Sequence, residues 1–528
     1  MSRQEYTFEG LGDIGIVKDT DAESLPINAW SDGKNARFRE GTVQKFTGHD
    51  EMFGATTASS GPIFAMSVNK GSNQFWFYAD ENRLLGTDGS VHENLSSGTY
   101  AATLDVNWNG AQLSGGVIVL NNGYDTPQQW TGTGLTDDFT DLANWPTGMV
   151  ARVIRAHKQY LIAMDIDDGS GRDGTLLRWS HPAAVSVPPA SWDYTDSTKT
   201  AGRTTIGGDG GFIVDALKLR NDTIIYKEGR CVRMSWIGGR PVFDFKDLFG
   251  EVGLLSRRCA KEFFGRHFVV SNSDVVLHDG QTVESILNRR WQSYLFNAID
   301  ATNYARTFVA VNYRKNEIWV CYPETGYSLP NMAMVWNWKD QSIGVRELPP
   351  GCAHIEWGVI TSSVDLSFNA MNGSYADQTA AFDDQTYAGV NQGMLMCSYT
   401  NNRFYRADQT NTFDGANVDF YVHREYLPLG VVTNGKMTYS PSNIKTVYEI
   451  WPIFKAETGT VIIISIGTRY NAKSAVSWQD ENFTVGTDEY AKYKKSGRII
   501  DIKFASADGS AVELISYKIV YNLSKGSR

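Results

Sequence analysis

Cysteine is scarce in this sequence and shows no pairing pattern: five residues in 528, at Cys231, Cys259, Cys321, Cys352 and Cys397. The number is odd, the nearest two lie 28 positions apart, and no Cys-x-x-Cys occurs. That excludes a zinc ribbon or a thioredoxin-type motif. The expectation is buried free thiols in a chain made in a reducing cytoplasm. Long apolar runs are also lacking. Runs such as Val461 to Ile464 or Ile318 to Tyr322 reach no more than five residues, far too few to span a bilayer. The opening MSRQEYTFEG has no apolar core and does not read as a secretory leader. A soluble protein without a membrane anchor is expected, exported, if at all, by another route. Clustered basic charge is missing too: Lys+Arg is 49 against Asp+Glu 59, a formal charge of −10. That argues against a grip on nucleic acid. An acidic wall suits only a protein that lets DNA slide past, because it repels phosphate.

What the sequence has is aromatics (12%) and glycine (50, against 15 prolines), within a globular balance of 42% hydrophobic and 20% charged residues. That combination suits strands joined by turns. The clearest unit is Gly116 to Trp130, GVIVLNNGYDTPQQW. Val117 to Leu120 has the length of a buried strand. Asn122-Gly123 tolerates the positive φ of a tight hairpin turn, Pro127 ends ladder pairing, and Trp130 offers a large face to a neighbour.

Similar pairs recur. Phe75–Tyr78 leads to Leu84-Leu85, Tyr160–Met164 to Leu176–Trp179, Thr223–Tyr226 to Cys231–Met234, Phe268–Val270 to Val275–Leu277, Ile318–Tyr322 to Met332–Trp336, and Met394–Cys397 to Phe404-Tyr405. The bends fall near 82, 122, 169, 228, 272, 326 and 401. Apart from the last interval, the spacing is about the 40–50 residues of one four-stranded propeller blade. Radial repetition also leaves only short, protected sheet edges. A β-sandwich would show turns at a shorter spacing without the larger period.

An all-β chain is therefore expected: a β-propeller over 61–415, six-bladed by preference and seven-bladed as the alternative, followed over 416–528 by an antiparallel, sandwich-like β-domain. Val461–Ile464, Arg498–Ile502 and Glu513–Tyr521 supply that domain's longer strands. Residues 1–60 hold a hairpin, Asn35 to Phe46, bending at Glu40-Gly41, and are candidates to close the propeller. Two segments break the period. Glu284 to Ile299 puts Leu287, Trp291, Tyr294, Leu295 and Ala298 on one helical face and reads as a surface helix. Residues 361–391 contain no Lys or Arg and carry a doublet, Tyr375–Thr379 and Phe382–Thr386, which reads as a polar insertion.

Taken in order, several stretches resemble the tail hub or nozzle proteins of short-tailed bacteriophages, including the packaged-DNA stabilisation proteins. Asn35-Ala-Arg-Phe-Arg-Glu-Gly41 is similar to the family's opening Asn-x-Arg-Phe-Arg-Asp-Gly hairpin. Leu120 to Trp130 resembles its Asn-Gly…Pro…Trp signature, and Arg178-Trp-Ser180 with Ser191-Trp-Asp193 its Arg-Trp-Ser…Trp-Asp pair. Val275–Gly280 with the segment after it, and the late doublet, match further features. The resemblance is spread over most of the chain and lies in the order of weak motifs. It implies a propeller body, a ring of identical subunits, usually six, and a channel for genomic DNA. The implied partners are other copies of the chain, a tail tube or adaptor protein, tail fibres or spikes, and transiently double-stranded DNA. The implied location is the virion tail. The alternative is a propeller that binds or degrades host-surface glycans.

No residue is assigned to catalysis, cofactor binding or metal binding. Asp165-Ile-Asp-Asp-Gly169 with Asp173-Gly174 resembles a calcium loop, but Leu176 stands where its twelfth-position Glu belongs, so a polar turn is expected. Gly207 to Gly211 lacks the Lys-Ser/Thr of a P-loop and reads as a flexible loop. The eight histidines are dispersed, with only His267 and His278 as near as eleven positions. There is no Gly-x-Ser-x-Gly elbow, and only Ser506–Gly509 approaches a sialidase-type Asp turn. A non-enzymatic protein is expected. Arg257-Arg258 and Arg289-Arg290 are the densest basic pairs and read as solvated surface.

Overall fold

The computed structural model describes residues 3–70, 73–239, 241–360 and 391–524. Seven four-stranded antiparallel units follow one another in it. Their first strands are Phe64–Lys70, Asn109–Leu113, Val150–His157, Ile213–Leu219, Ala260–Phe263, Phe308–Asn312 and Cys352–Ile360. These stand side by side around an axis, and the seventh packs back against the first. Each bend named from the sequence joins the second and third strands of one unit. The expected segments pair, with Leu85 opposite Tyr78, Ile162 opposite Trp179, Ile225 opposite Val232, Val269 opposite Val276, Val320 opposite Met334, and Cys397 opposite Phe404.

The circle has seven blades, so the preference for six is corrected. The reason is the closing unit. Blade seven takes three strands from Cys352–Ile360, Asn391–Ser398 and Arg403–Ala407 and its fourth from His49–Ala55 near the other end of the chain. It is incomplete within any contiguous stretch, although the N-terminal residues do close the ring. The swollen last interval contains 361–390. The polar insertion and its doublet therefore lie outside the described residues.

Apolar clusters fill the spaces between blades all the way round. Trp130 is fully buried and packs edge-on against Phe75 and Phe77 of blade one, at 5.5 and 5.0 Å. Blades seven and one close on each other through Leu395 and Phe404 against Trp76, Tyr78 and Leu85. Trp130 is the neighbour-packing residue the sequence suggested, but the turn before it is wider than a two-residue hairpin. Residues 122–127 form a loop in which the Asn122 side chain accepts hydrogen bonds from the Tyr124 and Asp125 amides (3.0 and 2.9 Å) and donates to the Asp125 carboxylate (2.6 Å). Asn122→Ala is expected to cost about 1–2 kcal/mol, by analogy with losing a capping side chain. Urea unfolding checks this, with m unchanged.

The C-terminal residues form a sandwich. Ile444–Ala456, Ala491–Gly497 and Val512–Ser524 make one sheet, with Arg3–Phe8 paired along Val512–Ser524. Asp32–Lys34, Phe420–Arg424, Ile499–Ser506, Val461–Arg469 and Ser477–Thr484 make the other. Ile462, Ile464, Ile500, Ile502 and Phe504 meet Ile450, Leu514, Tyr517 and Ile519 in its core.

The hairpin Ala36–Arg39/Thr42–Lys45 joins the two bodies. Ala36 pairs with Val345 of blade six, and Val43 pairs with Leu514 of the sandwich, so one sheet runs through both. Its two-residue bend has positive φ at Glu40 (51°) and Gly41 (76°), as a type I′ turn requires.

The helix expected over 284–299 is only Gln292–Ala298. Val283–Ser285 is instead the fourth strand of blade five, and positive φ at Asn288 and Arg289 separates the two. Leu287, Trp291 and Leu295 are buried, but Tyr294 is exposed and Ala298 half-buried, so the periodicity found three of its five face residues in the core and missed the start of the helix.

Candidate functional site

The axis of the propeller is the candidate site. A cavity of about 370 Å³ lies among the first strands, with Arg155, Asp215, Arg258, Lys261, His354 and Glu356 on its wall. These groups interlock. The Arg155 guanidinium contacts the Asp215 carboxylate at 2.7 Å and donates to the carbonyls of Ala216 and Gly110. Lys261 donates to Glu356 at 2.8 Å. Arg258 donates to the Ala353 carbonyl (3.2 Å) and to His354 Nδ1 (2.9 Å). Burial opposes the charge on Glu356, but Lys261 and His354 beside it hold its carboxyl down at about 2. Burial pulls His354 down to about 4, with a hydrogen bond to Glu356 opposing and Arg258 assisting.

Arg257 and Arg258 are therefore not solvated surface, and that expectation is corrected. They sit where the chain enters the first strand of blade five, against the axis, and the Arg257 side chain is 16% exposed. Of the other pair, Arg289 is exposed, while Arg290 donates to the Gln341 and Ile286 carbonyls.

The acidic loop at 165–174 is a turn whose carboxylates already have protein donors. Asp165 is buried at a bulge in its strand and is held in a two-pronged contact by Arg172, at 2.6 Å for each bond. Asp167 and Asp173 accept from nearby backbone amides. Among the described residues no three His, Cys, Asp or Glu side chains are grouped as metal ligands would be.

The Gly207–Gly211 stretch is built around a cation, which corrects the flexible-loop reading. The buried Lys227 ammonium donates to the carbonyls of Ile206 (3.2 Å), Gly208 (3.2 Å) and Asp209 (3.4 Å), and Arg230 donates to that of Gly207 (2.8 Å). Glycine there lets the backbone curl its carbonyls inward. Burial lowers the Lys227 pKa.

The structure brings His267 and His278 together as a cross-strand pair, joined by Tyr226, a residue the sequence reading did not connect to them. The Tyr226 hydroxyl lies 2.7 Å from His267 Nδ1 and 2.6 Å from His278 Nε2. His267 Nε2 faces the Lys218 carbonyl at 2.8 Å and so must carry a proton. With both rings neutral, Tyr226 donates to His267 and accepts from His278. His278 Nδ1 is then left buried without a partner. All five cysteines are buried and free, and burial lifts Cys231 and Cys352 to about 12. A larger cleft of about 610 Å³ lies between blades six and seven, where His49, Glu347, Tyr405 and Asp414 are among its walls.

No family model matches the sequence, and no curated protein matches it. Similarity to solved structures is at the level of strand arrangement. A structure described as YCF48 bound to D1 peptide shares 8% identity at a TM-score of 0.35, covering 67% of this chain and 94% of that one. PorZ, a surface component of the type-IX secretion system of Porphyromonas gingivalis, shares 9% at 0.34, covering 76% of this chain and 44% of PorZ. A glycoside hydrolase shares 10% at 0.24, covering 89% of this chain and 100% of that one. At such scores these similarities assign no function, and the propeller rests on the strand order itself.

Proposed function

We propose that this chain is a structural, self-assembling virion protein, forming the nozzle or hub ring of a short-tailed bacteriophage tail. In this reading it extends the DNA conduit, holds packaged DNA back, and lets it pass on infection. One observation carries the proposal: among the described residues, those of the opening hairpin, the Asn-Gly…Pro…Trp stretch and the Arg-Trp-Ser…Trp-Asp pair work in the frame. Asn35 donates to Glu347 and to the Asp419 carbonyl (2.8 Å each), and Arg37 makes ion pairs with Glu317 and Asp408, so this motif joins propeller to sandwich. Arg178 donates twice to the Trp192 carbonyl, at 3.1 and 2.6 Å, tying its strand to the long loop of blade three. Trp130 seals blades one and two. Residues used this way supply stiffness, which a conduit under load requires. The net charge of −10 suits a wall past which phosphate slides. Exposed Phe264 (74%) and Val185 (69%) are candidate contacts with neighbouring subunits.

Native mass spectrometry of the purified chain, alone and mixed with its tube proteins, tests this. The expected result is a closed ring of about six copies. Only monomers in both conditions would overturn it. Turnover of a bacterial polysaccharide, abolished by one carboxylate substitution, would favour the glycan reading instead.

A further inference from the structure

Beside the axial cavity, which Arg155 and Arg258 line, lies more sheltered positive charge than the protein neutralises. It gathers where the first strands begin. Arg152 and Arg155 come from blade three, Arg257 and Arg258 lead into blade five, and Arg172 follows the turn of blade three. Arg172 is itself exposed and is also influenced by Glu228. The nearby carboxylates are Asp165 and Asp215, so four sheltered arginines, Arg152, Arg155, Arg257 and Arg258, face two anions. Both anions are committed. Arg172 holds both oxygens of Asp165, and Arg155 holds Asp215, which also accepts from the Arg258 amide at 3.3 Å. Arg257 comes no nearer to Asp165 than 4.0 Å. Arg152 lies over the Tyr124 ring at 4.2 Å and is in no ion pair among the described residues. Arg152 Nη1, Arg257 Nη1 and Arg258 Nε are shielded from solvent and have no hydrogen-bond partner.

We propose that Arg152 and Arg257, backed by Arg155 and Arg258, form a binding site for a small oxyanion of the phosphate, sulfate or carboxylate type. A buried cation without a counter-ion is costly, and removing one partner of a buried ion pair typically destabilises by about 3–5 kcal/mol. Water satisfies an N–H but not the charge. An oxyanion satisfies both, and planar guanidinium forks match its geometry. Burial draws Arg257 down to about 10, opposed by Asp215 and Asp165 and reinforced by Arg152 and Arg155, as expected of a cation waiting for an anion. The cavity of about 370 Å³ beside it leaves room for the body of a small organic anion. This inference does not depend on the assembly reading, since a monomer would have the same site.

Titration calorimetry and thermal melting of the full chain test it, with inorganic phosphate, sulfate and acetate as separate probes at constant ionic strength. At least one oxyanion is expected to bind at one site per chain and to raise the melting temperature saturably. Arg257→Gln and Arg152→Gln should each weaken binding roughly tenfold or more. Without oxyanion, Arg152→Gln should melt no lower than wild type, because it removes repulsion, and it is the informative variant if Arg257→Gln fails to fold. Exposed Arg289→Gln should bind like wild type. Absence of saturable binding for all three probes, or binding that survives the Arg152 and Arg257 substitutions, overturns the proposal.

Discussion

Between pH 6.5 and 4 the protein is expected to lose its folding stability, with uptake of several protons. His49, His157, His267, His278 and His354 are at most 3% exposed. Burial draws His157, His267, His278 and His354 down to about 4 and His49 to about 3. The wiring explains why they resist charging. A second proton on His278 would sit on Nδ1, which has no acceptor. A second proton on His267 would face the hydroxyl proton of Tyr226. The unfolded chain takes these protons near pH 6.5 and the folded chain does not, so unfolded molecules bind more protons throughout the window and stability falls as pH falls. Each histidine contributes up to about 1.4 kcal/mol per pH unit, and five together rival the whole stability of an ordinary domain, about 5–15 kcal/mol. Asp501 works the other way. Burial pushes it up to about 6, so it gains a proton in the folded state over part of the same range, but it is one group against five. Urea unfolding at pH 7, 6 and 5 should give a slope of roughly three to five protons per molecule. A slope below about one proton would contradict the prediction.

The strands were legible because each carries its own signal. Ile318–Tyr322 is apolar enough to be a buried strand wherever it occurs, and each of the seven bends has turn residues beside it. Blade number was less legible, since it depends on a pairing between His49–Ala55 and Arg403–Ala407 that spans most of the chain. His49–Ala55 itself reads HDEMFGA, with mixed polarity and a glycine, because an outermost blade strand buries little. The helix boundary failed for a local reason. Leu287, Trp291 and Leu295 fit a helical face, but the chain reaches those positions through a strand and two positive-φ residues.

The axial site was hidden for a different reason. Arg257-Arg258 looks like any surface pair, and Arg152, Arg155 and Asp215 are isolated in sequence. Only the circular arrangement of first strands brings them to one axis. One regularity could have pointed to it: charged residues inside otherwise apolar first strands, as in Val150–His157 and Ile213–Leu219, mark positions that face an axis and not the neighbouring blade. The Lys227 cage was invisible because its acceptors are backbone carbonyls, which no side-chain pattern reports.

Arg37→Met should cost about 3–5 kcal/mol, the range for breaking a buried ion pair by removing one partner. Arg37 is 3% exposed and lies 2.7 Å from Glu317 and 2.9 Å from Asp408, side chains that are 1% and 10% exposed. Asn312 also donates to Asp408 and the Trp319 indole to Glu317, at 2.8 and 3.0 Å, so each carboxylate is fixed in place. Burial disfavours the charge on Asp408, but Arg37 and Arg346, with a hydrogen bond from Thr47, hold its carboxyl well below the usual range. Removing Arg37 leaves two buried carboxylates facing each other. Burial already raises Glu317 with Arg37 in place, and without Arg37 both carboxyls move upward, so the variant gains relative stability as pH falls. The deficit against wild type should therefore be smaller at pH 5 than at pH 7. Neutralising the carboxylates as well, in Arg37→Met/Glu317→Gln/Asp408→Asn, should recover part of the loss, because hydrogen-bonded neutral groups are cheaper to bury than unpaired charges. Since the hairpin carrying Arg37 connects blade six to the sandwich, limited proteolysis of the single variant should cut first at that junction. A loss below about 1 kcal/mol, the worth of an exposed pair, would show that the network is not what holds the two bodies together.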